Sequence, residues 1–473
     1  MRNLTMMTDL YQLTMMDGYF LEGKAHDTAV FDVFFRQKDT INYAVFAGLD
    51  QAIDYIKNLH FSSEDISYLS SLNVFHKEFL EYLKEFRFTG EMYSVQEGDI
   101  VYPQEPIVII KAPLIEAQLI ETALLNIISH QTLIATKSAR IVSAAQGKSV
   151  VEFGLRRAQG PDAGIYGARA AIIGGCNGTS NVLTGQMFDI PVKGTHAHSW
   201  VMSFNSELDA FRAFAKVYPD TCLLLVDTYD TMQGIKNAIT VFNELKAKGH
   251  KPIGIRLDSG DLAYLSKVAR KMLDDAGFED AVVMASGDID EYLLQSLNAQ
   301  GAKIDMYGVG TKLITSEDTP SLGGVYKLSA IERDGKLQPR MKISDSIIKV
   351  TNPGFKTLYR LYDKRGMAVA DLIALNGEEI PKPLVLTHET ERWKTTTLKD
   401  YDIRKMHHKI FDGGECVYDK PALSKIVEFA TAEKARFWDE YKRIDNPQIY
   451  KVNISDGLYA LKQKILREHK HNA

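Results

Sequence analysis

Side chains able to do chemistry cluster at the ends of short apolar runs in the middle of this chain. Glu152 and the pair Arg156-Arg157 follow Val150-Val151, and Thr195, His196 and His198 follow Pro191-Val192-Lys193-Gly194. Asp227 and Thr228 follow Leu223-Leu224-Leu225-Val226, Arg256 and Asp258 close the run from Ile253, and Ser286 and Asp288 follow Ala281-Val282-Val283-Met284-Ala285. A sixth run, Asp305-Met306-Tyr307, enters Gly308-Val309-Gly310-Thr311-Lys312. In a parallel barrel the carboxyl ends of the strands face one mouth, so these groups would converge there. A single Asp at a strand end is as readily a helix N-cap. Six polar ends together are harder to assign to capping alone.

Three of these sites invite specific chemistry. A guanidinium ending an apolar strand, Arg256, is buried and needs an anion. Asp258 or Asp227 would meet that need structurally, and a substrate carboxylate would meet it functionally. Gly308 and Gly310 let backbone N–H groups approach a phosphate, or else make a tight turn. His196 and His198 share a face if the strand continues, which is how a metal pair is spaced. Barrel metal sites draw further histidines from later strand ends, and the one histidine between His198 and His388 is His250, which precedes its strand. No metal-ligand set is therefore assigned. One histidine of the pair reads as structural, the other as free for acid–base or nucleophilic work.

The elements that must position these groups alternate strand and helix, with apolar spacings of three and four in stretches such as Leu262 to Ala276. Six such units predict an irregular TIM-like α/β barrel over residues 136–331, with a doubly wound sheet as the competing topology. Residues 1–135 predict an N-terminal α/β sandwich domain. Its signals are a strand over 29–36, a short amphipathic helix over 51–59, an apolar strand over 107–110 and a buried helix over 115–130. Residues 332–473 form a β-rich return segment and a helical tail from about Ala422 to His469. Hairpin-like runs appear at 324–328, 339–343 and 356–375.

Composition bounds the function. The chain has 473 residues, 45% of them apolar and 25% charged, which fits a globular protein of more than one domain. Its net charge of −5 comes without any basic block, which argues against nucleic acid. The three cysteines are far apart and match no metal or disulfide pattern. The first twenty residues lack the long apolar core of a signal peptide, and no run suggests a membrane span. A cytoplasmic location is expected.

Longer blocks carry a resemblance. Thr8-Asp9-Leu10-Tyr11-Gln12, Gly154-Leu155-Arg156-Arg157-Ala158-Gln159-Gly160-Pro161-Asp162 and Gly194-Thr195-His196-Ala197-His198-Ser199 occur in order. Arg256-Leu257-Asp258-Ser259-Gly260-Asp261-Leu262, Tyr307-Gly308-Val309-Gly310-Thr311 and Ser321-Leu322-Gly323-Gly324-Val325-Tyr326-Lys327-Leu328 follow them. Together they resemble nicotinate phosphoribosyltransferases, from residue 8 to about 355. The tail beyond residue 400 carries no motif of its own.

The resemblance implies a sandwich domain completed by later segments, a barrel beside it, and a homodimer with its site near the subunit interface. It implies nicotinate, phosphoribosyl pyrophosphate and ATP as substrates, with Mg2+, and a place in NAD salvage. His198 is implied as the phosphorylated residue, and Tyr11, Thr195 and Arg256 as the nicotinate pocket, with Tyr11 acting in the partner's site. Thr351 is implied to contact the phosphoribosyl substrate, and Arg156, Gly308 and Gly310 to hold its phosphates. Asp227, Asp258, Asp288 and Ser286 are assigned to the ribose, the developing cation or magnesium. The alternatives are a nicotinamide or quinolinate phosphoribosyltransferase, a catalytically idle pyridine-nucleotide-binding protein, or a metallohydrolase with a hidden ligand set.

Overall fold

The computed structural model describes residues 3–38, 40–344 and 349–472 of a mixed α/β protein. The chain forms two compact units, Met1–Leu133 with Ser321–Ala473, and Ile134–Pro320.

The first unit is organised on the strand Thr28–Phe35, whose β-branched and aromatic residues favour extended backbone and whose last seven positions are all buried. It pairs antiparallel with Gly324–Arg333 on one side and Val108–Pro113 on the other. The full sheet runs Lys336–Pro339, Gly324–Arg333, Thr28–Phe35, Val108–Pro113, Glu91–Ser94, His408–Asp412, Glu415–Cys416. Early and late segments of the chain thus share one sheet. A second sheet orders Asp402–Lys405, Lys356–Tyr362, Ala368–Leu375 and Val452–Ile454. Fully buried charges tie its strands to the rest of the unit. Lys356 Nζ meets Asp32 Oδ2 at 2.8 Å, and Arg360 meets Asp371 at 2.6 Å and Glu433 at 3.0 Å.

The second unit contains a parallel sheet of five strands, ordered Ser149–Glu152, Met306–Val309, Val282–Gly287, Gly254–Leu257, Leu223–Leu225. Helices Thr231–Ala247, Leu262–Asp275 and Glu291–Ala299 separate the later strands. Each of these helices is N-capped by an aspartate, Asp230, Asp261 and Asp290, whose carboxylate accepts from the backbone at 2.8–3.0 Å. The capping thus falls two or three residues beyond Asp227, Asp258 and Asp288, which are free of it.

Three expectations need revision. The predicted strand over 191–195 is irregular, joined to the sheet edge only through bridges from Glu152 to Thr179 and Thr179 to Val192. Pro191 has no N–H to give to a ladder, and Gly194 has no side chain to hold one face. The regular sheet therefore has five strands where six were expected, and a parallel sheet flanked by helices is what the hydrogen bonding establishes. The helix predicted over 115–130 is two, Leu114–Leu119 and Glu121–Ala144, and no residue type at the break marks it. The helical tail is three helices, Leu423–Ala435, Asp439–Lys442 and Asp456–Asn472, with the strand Val452–Ile454 before the last. Among the described residues no helix is long and apolar enough to cross a membrane.

Candidate functional site

A cavity of about 680 Å³ lies within the second unit, walled by the residues that follow the strands. Arg156, Thr195, His198, Arg256, Asp258, Ser286, Asp288, Gly308 and Gly310 all line it, as do His196 and Arg157. Nine of the twelve residues singled out from the sequence are therefore brought together on one wall system. Asp227 stands behind that wall. Its Oδ2 accepts the Asp258 amide at 3.0 Å and the Ser259 hydroxyl at 2.5 Å, while its buried Oδ1 has no partner. Tyr11 and Thr351 belong to the first unit. Tyr11 is half exposed on the helix Leu10–Leu21, and buried Thr351 accepts the Lys342 amide at 3.0 Å.

Arg256 sits on the strand Gly254–Leu257 with neutral partners only. Its Nη1 donates to Thr195 Oγ1 at 2.9 Å and its Nη2 to the His196 carbonyl at 3.3 Å. Nε is buried and unpartnered, and burial pulls the guanidinium's pKa below its ordinary value. Among the described residues it forms no ion pair, and the carboxylates of Asp258 and Asp227 act on it only from a distance, opposing the effect of burial.

The two histidines are separated in role by packing. His196 is buried, and its Nε2 accepts the Leu225 amide at 3.2 Å. Its ring stands edge-on to Phe214 at 4.8 Å, and burial lowers its pKa to about 4. It is a neutral, fully engaged ring. His198 opens the helix His198–Met202 with its side chain 40% exposed. Its Nδ1 lies 3.1 Å from Thr228 Oγ1 and its Nε2 3.8 Å from Asp258 Oδ2. The other Asp258 oxygen accepts the Ser286 hydroxyl. His198 therefore has a hydroxyl and a carboxylate to orient it and an open face to the cavity.

The opposite wall is built for anions. Arg156 and Arg157 lie on the short turn Leu155–Arg157, which the fully buried Glu152 holds from beneath. Glu152 accepts the Gly154 amide on one oxygen and the Thr179 hydroxyl at 2.6 Å on the other, and burial raises its pKa. A Cβ on Gly308 would lie 2.6 Å from the Phe153 ring, and one on Gly310 would lie 3.3 Å from the Phe153 carbonyl. Only backbone fits at Gly308. Sequence reasoning missed Ser180 and Thr179, which the fold brings to this site from a loop with no motif, and Gly287, the last residue of its strand; Gly287, at φ +116, passes 3.0 Å from the Asp258 carbonyl by its would-be Cβ. Among the described residues no three of His, Cys, Asp and Glu are grouped to hold a metal.

Comparison with known proteins addresses the same residues. Residues 6–129 match the nicotinate phosphoribosyltransferase N-terminal domain, 148–367 the nicotinate phosphoribosyltransferase family, and 355–462 the C-terminal domain. The nicotinate phosphoribosyltransferase of Bacillus subtilis is 47% identical, over 99% of this chain and 96% of that protein. The human nicotinate phosphoribosyltransferase is 30% identical, over 96% and 95%. A crystal structure of human nicotinic acid phosphoribosyltransferase superimposes with a TM-score of 0.87, covering 97% of this chain and 99% of that one at 29% identity. A nicotinate-nucleotide pyrophosphorylase from Pyrococcus furiosus, 21% identical, shares the fold with a TM-score of 0.72. Matched by family models along nearly its whole length and by a full-length bacterial relative at almost half identity, this chain belongs to the nicotinate phosphoribosyltransferase family.

Proposed function

We propose that this chain joins nicotinate to 5-phosphoribosyl 1-pyrophosphate, releasing nicotinate mononucleotide and pyrophosphate, and couples this to ATP hydrolysis through a phosphohistidine at His198. The observation that carries the reading is Arg256, a part-buried guanidinium on the cavity wall with a buried, unpartnered Nε and no ion pair among the described residues. A planar cation held this way suits a substrate carboxylate, and clamping nicotinate by its carboxylate orients the ring nitrogen at the other end. Thr195 steadies the clamp. The aromatic face of Tyr11, supplied by the second subunit of a homodimer, stacks on the ring.

Phosphoribosyl pyrophosphate is held by Arg156 and by the backbone at Gly308 and Gly310, and Thr351 is assigned to it by family resemblance. As pyrophosphate leaves, positive character develops on the ribose C1, and Asp258 stabilises it across the cavity. Asp227 fixes the backbone that carries Asp258 and Ser259. Ser286 and Asp288 serve the ribose hydroxyls. Magnesium carried by substrate phosphates needs only one or two protein carboxylates, and Asp258 and Asp288 on the cavity wall fit that need. Bound there, it would neutralise charge on the leaving pyrophosphate.

His198 takes the γ-phosphoryl group of ATP, and water later removes it as phosphate. The Thr228 hydroxyl beside Nδ1 and the Asp258 carboxylate beside Nε2 hold the ring as it attacks, and Asp258 offsets the positive charge that develops on it. The five-stranded sheet is read as part of an irregular barrel, with residues 179 and 192–196 standing in for a further stave. The protein is placed in the cytoplasm, in NAD salvage.

The test is product formation from phosphoribosyl pyrophosphate and magnesium with nicotinate or nicotinamide, each with and without ATP. Nicotinate mononucleotide formed faster with ATP is the expected result. Preference for nicotinamide would overturn the role of Arg256, and no product from either would overturn the activity.

A further inference from the structure

The reaction as proposed uses His198 and leaves His196 without a task, although His196 lines the same cavity. It is buried, and both of its ring nitrogens face backbone groups. A backbone amide only donates, so the 3.2 Å bond from the Leu225 N–H fixes Nε2 as an unprotonated acceptor. The ring proton is then on Nδ1, directed at the Ala197 carbonyl 3.4 Å away. Leu225 lies in the last strand of the five-stranded sheet, in register with Arg256 on the adjoining strand. Val226 turns its N–H to the Arg256 carbonyl at 3.1 Å, so the Leu225 N–H points away from that neighbour. The imidazole meets it where a further strand would have supplied a carbonyl.

The main chain of the same residue completes a circuit. The His196 carbonyl accepts Arg256 Nη2 at 3.3 Å, and the Thr195 hydroxyl donates to that carbonyl at 3.3 Å while accepting Arg256 Nη1 at 2.9 Å. Arg256 is thus tied to Leu225 by strand register from one side and by His196 from the other. The Phe214 ring meets the imidazole edge-on at 4.8 Å. We propose that His196 is the positioning residue of the carboxylate clamp. Its imidazole acts as a fixed acceptor that docks the 194–197 segment on the sheet and thereby sets the guanidinium of Arg256.

This inference rests on the reading of Arg256 as the nicotinate clamp and predicts how that clamp is tuned. A glutamine places its carbonyl oxygen near the position of Nε2, whereas phenylalanine fills the space and accepts nothing. His196→Phe should raise the nicotinate KM by about tenfold while the KM for phosphoribosyl pyrophosphate and phosphorylation by ATP stay within about twofold. His196→Gln should restore the nicotinate KM to within about threefold. In the unsubstituted protein, nitrogen-15 spectra of the histidines should show His196 neutral with its proton on Nδ1 at about pH 6.

Equal changes in both KM values, failure of glutamine to rescue a folded protein, or a proton on Nε2 would each overturn the proposal. If the phenylalanine variant does not fold, His196→Asn, whose shorter amide falls short of Nε2, takes its place, with the same split between the two KM values expected. Arg256→Gln, measured alongside, separates the two readings. If it leaves the nicotinate KM unchanged, the clamp itself is wrong. If it raises that KM and His196→Phe does not, the clamp stands and His196 is not its positioning residue.

Discussion

His198 Nε2 faces Asp258 Oδ2 across 3.8 Å, with Thr228 Oγ1 on the other ring nitrogen at 3.1 Å. The ring is held between a carboxylate and a hydroxyl yet keeps 40% of its surface open. A carboxylate so placed offsets the positive charge that grows on the ring as it attacks a phosphoryl group. Asp258→Asn should slow labelling of the protein by γ-phosphate-labelled ATP by about a hundredfold, within the range for acid–base partners. His198→Ala should abolish labelling. Persistent labelling of the alanine variant would remove His198 from the phosphoryl path.

Arg256 should show itself in substrate affinity. A charge-assisted hydrogen bond is worth about 1.5–3 kcal/mol, so Arg256→Ala should raise the nicotinate KM about tenfold or more. Arg256→Lys should not restore it, because an ammonium cannot present two parallel donors to a carboxylate. Steady-state kinetics with nicotinate varied settles the matter, and an unchanged KM in the alanine variant would sink the assignment.

How much of this was legible beforehand can be argued residue by residue. The strand-end positions were readable because five of the six runs became strands and five of the six delivered polar groups to one cavity, while Asp227 from the third supports its wall from behind. Asp227 and Asp258 looked like possible caps, and the sequence held the answer in Asp230 and Asp261 three residues on, each in capping position. Spacing alone indicated that one of His196 and His198 is structural and the other free, and only the family resemblance pointed to His198 as the free one. Their division of labour depends on the Leu225 amide and on Phe214, which are distant in sequence and meet the pair only in the fold. Gly308 had two readings, and the Phe153 ring at 2.6 Å from its would-be Cβ makes it a packing necessity as well as a wall of the cavity. Thr179 and Ser180 lie in a loop with no periodicity, so only tertiary structure brings them to Glu152.

Acid should destabilise the protein through two buried histidines. His196 and His407 are neutral acceptors for backbone amides, of Leu225 and Leu358 respectively, and burial lowers each from 6.5 to about 4. The unfolded chain then binds more protons than the folded one between these values. Stability from this source is complete above about pH 6.5 and is lost as pH falls toward 4, by up to about 3 kcal/mol per histidine. Thermal melts across that range should show a falling Tm, and His407→Gln should flatten the fall. An unchanged slope in that variant would mean that His407 is not buried as a neutral ring.

The buried pair of Asp32 and Lys356 offers a test of stability linked to the loop of Thr351, which is proposed to contact phosphoribosyl pyrophosphate. Lys356 Nζ lies 2.8 Å from Asp32 and donates to the carbonyls of Asn352 and Gly354, so it pins the segment that carries Thr351. Removing one partner strands a charge where no water can reach it, whereas removing both leaves an apolar site. Asp32→Ala should therefore cost about 3–5 kcal/mol in chemical denaturation, and adding Lys356→Met should recover part of that loss. The double variant frees the loop even as it relieves the stranded charge. Its KM for phosphoribosyl pyrophosphate should stay raised by about tenfold while its nicotinate KM is normal. A double variant less stable than Asp32→Ala would show that the lysine's hydrogen bonds to the loop matter more than its charge partner.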